Sequence, residues 1–178
     1  TSTGTNFGSS AVFHAANTTA STGALNLRNN IVVNLSTANG TGSTVAFRQG
    51  PGTSLVLNNY NSLSNNNLFY AGVPSASNLI YSNGTNAAQD ITAYKAGIFT
   101  AGTIAPRDQL SVSENPQFIS TVGSSVDFLK ISNNDITFIE SGAVNISGIT
   151  TDFEGQIRAG NTGYAVQPNG AGSAPDIG

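Results

Sequence analysis

The chain has 178 residues, enough for one domain with a core of ordinary size. Only 8% of residues are charged, against about 25% in typical globular proteins, yet 38% are hydrophobic with nine Phe and five Tyr, which excludes a disordered acidic tail. Six Lys plus Arg, scattered singly, against nine Asp plus Glu leave a net charge of -3 and no basic face for phosphates, so nucleic acid is not expected as a partner.

The opening TSTGTNFGSS has neither the basic nor the apolar region of a signal peptide, so any export signal is expected outside these residues. Short apolar runs of strand type follow: SAVFHA (10–15), ALNL (24–27), IVVNL (31–35), TVAFR (44–48), SLVL (54–57), LFYA (68–71) and NLIYS (78–82). Each is bounded by Gly, Asn, Ser or Pro, as strands of an all-β protein are. DITAYKAGIF (90–99) differs. Asp90 is a good N-cap, Ile91, Tyr94 and Ile98 share a helical face, and Lys95 falls in the later half, so a short helix is predicted. APRDQLSVSENPQF (105–118) carries Pro106 and Pro116, which lack a ladder N–H. Residues 90–117 therefore read as a helix-loop excursion. Strand-like runs resume with FIST (118–121), DFLKI (127–131), ITFIE (136–140) and AVNISGI (143–149), and 155–178 forms a turn-rich C-terminal segment. No run approaches the length of about 18 apolar residues that signals a membrane-crossing helix, so no membrane insertion by this segment is expected. Without Cys, neither a disulfide nor a thiolate metal site can form.

Outward strand positions hold Thr, Asn and Ser rather than Lys, Glu or Arg. Uncharged polar side chains stack without like-charge repulsion when coils pile up about 4.8 Å apart, which favours a parallel β-helix over a sandwich. Asn29-Asn30, Asn66-Asn67 and Asn133-Asn134 each run into an apolar segment, and short amides satisfy backbone groups at corners. They recur 37 residues apart (29 to 66) and then 67 apart (66 to 133). The three corners are thus expected to share a conformation without all stacking directly on one another.

The succession LRNNIVVN, SNNNLFYAGVPSASNLIYSNGTN, ITAYKA, PRDQLSVSENPQFIST, DFLKI and ESGAVNISGITTDFEGQIRAGNTGYAVQPNGAGSAPDIG resembles the repeated right-handed parallel β-helix regions of very large surface and secreted proteins of Bacteroidetes. The closing DFEGQIR and APDIG look like that family's terminal signature. The resemblance spans essentially the whole chain. It implies a right-handed parallel β-helix over residues 1–178, a segment of a longer repetitive protein exported by the type IX pathway, and an extracellular or cell-surface location. An adhesin-like structural role is implied with it, with other segments of the same surface assembly, and glycans, as partners.

Candidate chemistry is sparse. His14 is the sole histidine and has no carboxylate within ten residues, so it reads as an exposed or edge histidine rather than a catalytic one. Asp152, Glu154 and Asp176 with Arg158 are the best carboxylate group. Asp152 and Glu154 alternate around Phe153, which puts both on one side of a strand. A salt bridge tying the terminal turn to the chain before it is the first reading, and a Ca²⁺ site of oxygen ligands the second; no other cofactor is indicated. Arg107, Asp108 and Glu114 read as local ion pairing in the excursion, and Asp127 or Asp135 as partners for Lys130. Phe69, Tyr70, Tyr81, Phe118, Phe128 and Phe138 are expected to point inward, whereas Tyr60, Tyr94 and Tyr164 are candidates for exposure. The function expected is a non-enzymatic structural module. The competing class is a carbohydrate-active protein, which requires several acids converging on one exposed face.

Overall fold

A computed structural model describes residues 4–50, 57–97, 104–132, 135–165 and 174–178. Five of the predicted runs form strands: β1 (Ser9–Ala15), β2 (Ile31–Val33), β3 (Thr44–Gly50), β4 (Leu68–Tyr70) and β5 (Asn78–Ser82). A sixth, β6 (Ala87–Ala88), and one helix, α1 (Ile91–Ala96), complete the regular structure among the described residues. Strands β1, β3 and β5 pair in parallel, so that Val12, Phe47 and Tyr81 stand one above another. Strands β2 and β4 form a separate parallel pair with Val32 opposite Phe69.

The chain does not continue this pattern into a parallel β-helix. The expected right-handed solenoid is replaced by two small open sheets, one of them mixed: order β1-β3-β5-β6 and order β2-β4. The reversal has a local cause. Asn83 Oδ1 accepts from the backbone N–H groups of Thr85 and Asn86, and Asn83 N–H donates to Asn86 O, which folds the chain back after β5. The returning β6 pairs antiparallel, Tyr81 opposite Ala88, and closes that edge of the sheet. Helix α1 follows at once, capped as the sequence predicts by Asp90, whose Oδ1 accepts from Ala93 N–H at 2.8 Å.

Beyond residue 104 the runs FIST, DFLKI and AVNISGI form only isolated bridges, such as Phe118 opposite Ile131 and Ile146 opposite Ile149, and ITFIE forms none among the described residues. Tight turns interrupt them before a ladder can propagate. Leu129 and Ser141 take left-handed backbone angles (φ 57° and 55°), which a continuing strand cannot include. Phe138, Ile136 and Phe153 are consequently exposed. Phe128 is also exposed and Phe118 half-buried, so the inward stacking expected of these rings does not occur.

The core lies under the first half. Phe47 is fully buried and touches three rings, with centroids 5.1 Å from Tyr60, 6.1 Å from Phe69 and 5.8 Å from Tyr81. Tyr94 from α1 closes the group, 6.0 Å from Phe69 and 5.4 Å from Tyr81. β2 and β4 are apolar at every position because both their faces are covered. Val32 and Phe69 face the aromatic core, while Ile31, Val33, Leu68 and Tyr70 pack against Ile139, Ala143 and Ile177.

Two of the three double asparagines are corners of one kind. Asn29 and Asn66 both adopt left-handed angles (φ 59° and 57°), which asparagine tolerates better than most residues. They stack directly: Asn67 Oδ1 accepts from the backbone N–H of Asn30 at 3.0 Å and from its Nδ2 at 3.1 Å, across 37 residues. Asn133-Asn134 lies outside the described residues. The segments leading into β1 and β3 meet in direct backbone contact. A Cβ on Gly42 would lie 1.7 Å from the Phe7 carbonyl oxygen, so only glycine lets the two segments meet there.

This arrangement predicts a sharp asymmetry. Phe47→Ala removes the ring that the other aromatics surround and should cost about 3–5 kcal/mol, whereas Ile136→Ala on the exposed turn region should stay within about 0.5 kcal/mol. Urea unfolding of both variants reads the difference. Equal losses would place the core elsewhere.

Candidate functional site

Local chemistry decides where the charged residues go. Asp152 sits at the start of a turn, and its Oδ1 accepts from the backbone N–H of Glu154 at 2.9 Å and of Gln156 at 2.8 Å. Short acidic side chains commonly satisfy the backbone this way. Glu154 reaches across to Lys130 at 2.7 Å, and Asp127 stands 3.8 Å from the same ammonium. The Lys130 pKa is raised, chiefly by the Glu154 hydrogen bond, with the Asp127 charge adding to it.

Asp176 is elsewhere. Its Oδ1 accepts from Ser141 N–H at 2.8 Å, and Arg158 donates to the backbone oxygens of Asp176 and Gly178 rather than to an acidic side chain. Asp152, Glu154 and Asp176 therefore do not converge: one holds a turn, one pairs with Lys130, and one caps the 139–142 turn. Among the described residues no three acidic or imidazole groups gather where they could hold a metal ion. The terminal tie expected between Arg158 and these side-chain carboxylates is made through backbone oxygens instead. Glu140 is held above the usual carboxylate range, first by burial and then by the nearby charge of Asp176.

His14 is an edge-strand residue but not an exposed one. Its side chain turns inward, with Nε2 3.0 Å from the Gly23 carbonyl oxygen and Nδ1 3.4 Å from Gln49 Nε2. Gln49 Oε1 in turn accepts from Tyr81 OH at 3.1 Å. Pairing between Asp135 and Lys130 is not formed, and Glu114 serves the backbone, accepting from Phe138 N–H at 3.0 Å and from the Thr137 hydroxyl.

The most concentrated chemistry lies where local ion pairing was expected. Arg107 and Asp108 part company. Arg107 donates to the carbonyls of Leu57 and Tyr60 and lies over the Tyr60 ring, 5.9 Å from its centroid. Asp108 turns inward and is fully buried, in a left-handed conformation (φ 53°). Its Oδ2 accepts from Tyr60 OH at 2.6 Å and Tyr94 OH at 2.8 Å, and its Oδ1 from Asn67 Nδ2 at 3.0 Å and Ser111 Oγ at 2.7 Å. An ionised carboxylate offers about four lone-pair positions, and all are filled. Tyr60 and Tyr94, read from sequence as candidates for exposure, are at zero accessibility because their hydroxyls have this acceptor. Both phenols are pushed well above their usual 10.0, first by burial; the Asp108 charge acts in the same direction. Lys95 on α1 is lowered by burial, and the Asp108 charge partly opposes that shift.

The spacing of Tyr60, Asn67, Tyr94 and Asp108 follows no sequence motif, so nothing in the chain's pattern marked this node. Compared with known proteins, the chain matches no family model, no curated protein and no solved structure. Among the described residues no helix is long and apolar enough to cross a membrane.

The node fixes the alkaline behaviour. Folding raises the Tyr60 and Tyr94 pKa values, so it favours the protonated phenols; their contribution is whole below about pH 10 and is lost as the pH climbs toward the folded values. Tyr94→Phe should cost about 1.5–3 kcal/mol near neutrality, the worth of a hydrogen bond to a charged group, and should flatten the alkaline loss. Asp108→Asn turns an acceptor into a donor facing donors and should cost at least as much. Thermal melts from pH 7 to pH 12 check all three statements.

Proposed function

We propose that this chain is a non-catalytic structural module of a secreted or cell-surface protein, adhesin-like, whose work is to extend, display and associate. The observation that carries the reading is the apolar surface of the turn-rich segment 118–157. Val126, Ile136 and Phe153 stand open to solvent there, with Val122, Phe138 and Ile119 largely so. Scattered apolar side chains are ordinary on a surface, but a concentration of this kind on one segment is typical of an association surface. A second feature supports it. Strand β1 ends the four-stranded sheet, with no strand paired to its outer side among the described residues, and Phe13 is exposed on it. The polar chemistry fits the same reading, since Asp108, His14 and Asp152 are each held in hydrogen bonds that serve the fold. The resemblance of the sequence to surface proteins agrees in direction.

Sedimentation velocity of the purified chain tests the association. The expected result is concentration-dependent growth that the double variant Ile136→Ser, Phe153→Ser reduces. A chain that stays monomeric up to high concentration would sink the proposal. The enzymatic alternative is checked on a panel of neutral and acidic polysaccharides by reducing-end release and by absorbance of unsaturated products. No turnover above blank is expected, and steady release abolished by Glu140→Gln would replace this reading with a carbohydrate-active one.

A further inference from the structure

Asn-Gly pairs occur at 39–40, 83–84 and 169–170, the last outside the described residues. Glycine after asparagine leaves its backbone nitrogen unhindered for attack on the asparagine side chain. The two described pairs are set up in opposite ways. At Asn39 both ends of the side-chain amide are held: Oδ1 accepts from Gly40 N–H at 3.0 Å, and Nδ2 donates to Gly4 O at 3.0 Å. The Gly40 N–H therefore points at the group its nitrogen would attack, presenting a hydrogen rather than the nitrogen electrons. Gly40 is also wedged, since a Cβ there would lie 2.1 Å from Thr5 O. Asn83 differs at each point. Its Oδ1 accepts from the backbone N–H groups of Thr85 at 3.0 Å and Asn86 at 2.7 Å, while its Nδ2 is buried with no hydrogen-bond partner among the described residues. Gly84 turns its N–H away, to Ser82 Oγ at 3.1 Å. It stands exposed at φ 89°, with open space where a Cβ would be.

We propose that Asn83-Gly84 is a self-modification site, where Asn83 converts through a cyclic imide to aspartate and isoaspartate. The Gly84 nitrogen bonds to Asn83 Cγ and the Cγ–Nδ2 bond breaks. Ammonia leaves, carrying Nδ2, its two hydrogens and the proton lost by Gly84. Water then cleaves the imide at its bond to Cγ, giving aspartate, or at its bond to the main-chain carbonyl carbon, giving isoaspartate. Water is the only co-reactant, and it reaches the turn through exposed Gly84 and Thr85. Negative charge builds on Oδ1 during the attack, where the Thr85 and Asn86 N–H groups already stand as donors. Departure of Nδ2 also removes a buried donor that has no acceptor, a destabilising group in the starting state. The isoaspartate form carries one more main-chain methylene in the turn that returns β6 onto β5, so it loosens the pairing of Tyr81 with Ala88 at that edge of the sheet. This modification goes beyond the structural role proposed above and stands whether or not the chain self-associates.

The test ages the full chain at mildly alkaline pH, folded and in parallel in concentrated urea, and reads tryptic fragments by mass spectrometry at intervals. Cleavage after Lys and Arg separates the two pairs, with Asn39-Gly40 in fragment 29–48 and Asn83-Gly84 in fragment 49–95. In the folded chain, fragment 49–95 is expected to change from amide to acid at least about tenfold faster than fragment 29–48, the effect of about 1.4 kcal/mol on a barrier. Fragmentation should place the change, and isoaspartate with it, at residue 83. In urea the two fragments should convert at similar rates, because the turn that sets them apart is gone. The proposal is overturned by an unchanged residue 83 in the folded chain, by conversion of Asn39 as fast or faster there, or by a lead of Asn83 that persists in urea, which would assign the effect to local sequence.

Discussion

A single buried carboxylate organises the best-packed part of this protein. Asp108 takes four hydrogen bonds from Tyr60, Tyr94, Asn67 and Ser111, residues that belong to four different places in the chain. Burying an ionised group costs several kcal/mol unless its lone pairs are occupied. Full occupation turns that cost into specificity, because only one arrangement of α1, the Asn67 corner and the 104–112 turn supplies all four donors at once. The aromatic core depends on the same arrangement, since the Tyr60 and Tyr94 rings can lie beside Phe47, Phe69 and Tyr81 only while their hydroxyls reach an acceptor.

Around that node two kinds of adhesion divide the molecule. The first half is held by parallel ladders and apolar burial, with β3 enclosed between β1 and β5. The second half is attached mainly by amides and backbone groups. Asn29 grips Val144 in both directions, Asn66 Nδ2 donates to Gly142 O, and Ala143, Ile177 and Gly178 donate to backbone carbonyls of Pro175, Ile139 and Asn29. Among the described residues Ile139, Ala143 and Ile177, with Val112 and Ile131 packed beside them, add an apolar footing against β2 and β4. The surface that remains is rich in exposed apolar side chains.

The strands of the first half were readable because their signal is local. Runs such as TVAFR and NLIYS combine β-branched and aromatic residues between turn formers, and Asp90 announces α1 by its capping chemistry. The same signal misled after residue 117. FIST, DFLKI and ITFIE have equal strand character, but no partner strand meets them in register, and a β-ladder exists only between two chains segments. The parallel β-helix inferred from these runs fails for that reason, and because Asn83 reverses the chain so that β6 closes the sheet.

Composition and spacing by themselves determined that the chain is rich in β structure, poor in charge, free of thiol chemistry, and cornered at Asn29 and Asn66, where a left-handed turn suits a short amide. Only the tertiary structure decided that these two corners stack, that Tyr60 and Tyr94 are interior, and that Asp108 is a hub rather than one half of a loop ion pair. It also separated Asp152, Glu154 and Asp176, which sequence had grouped together. The physical reason is common to all of these. A side chain's local preference is written in its own covalent structure, whereas its hydrogen-bond partner is chosen by whatever the fold brings within about 3 Å, often from tens of residues away.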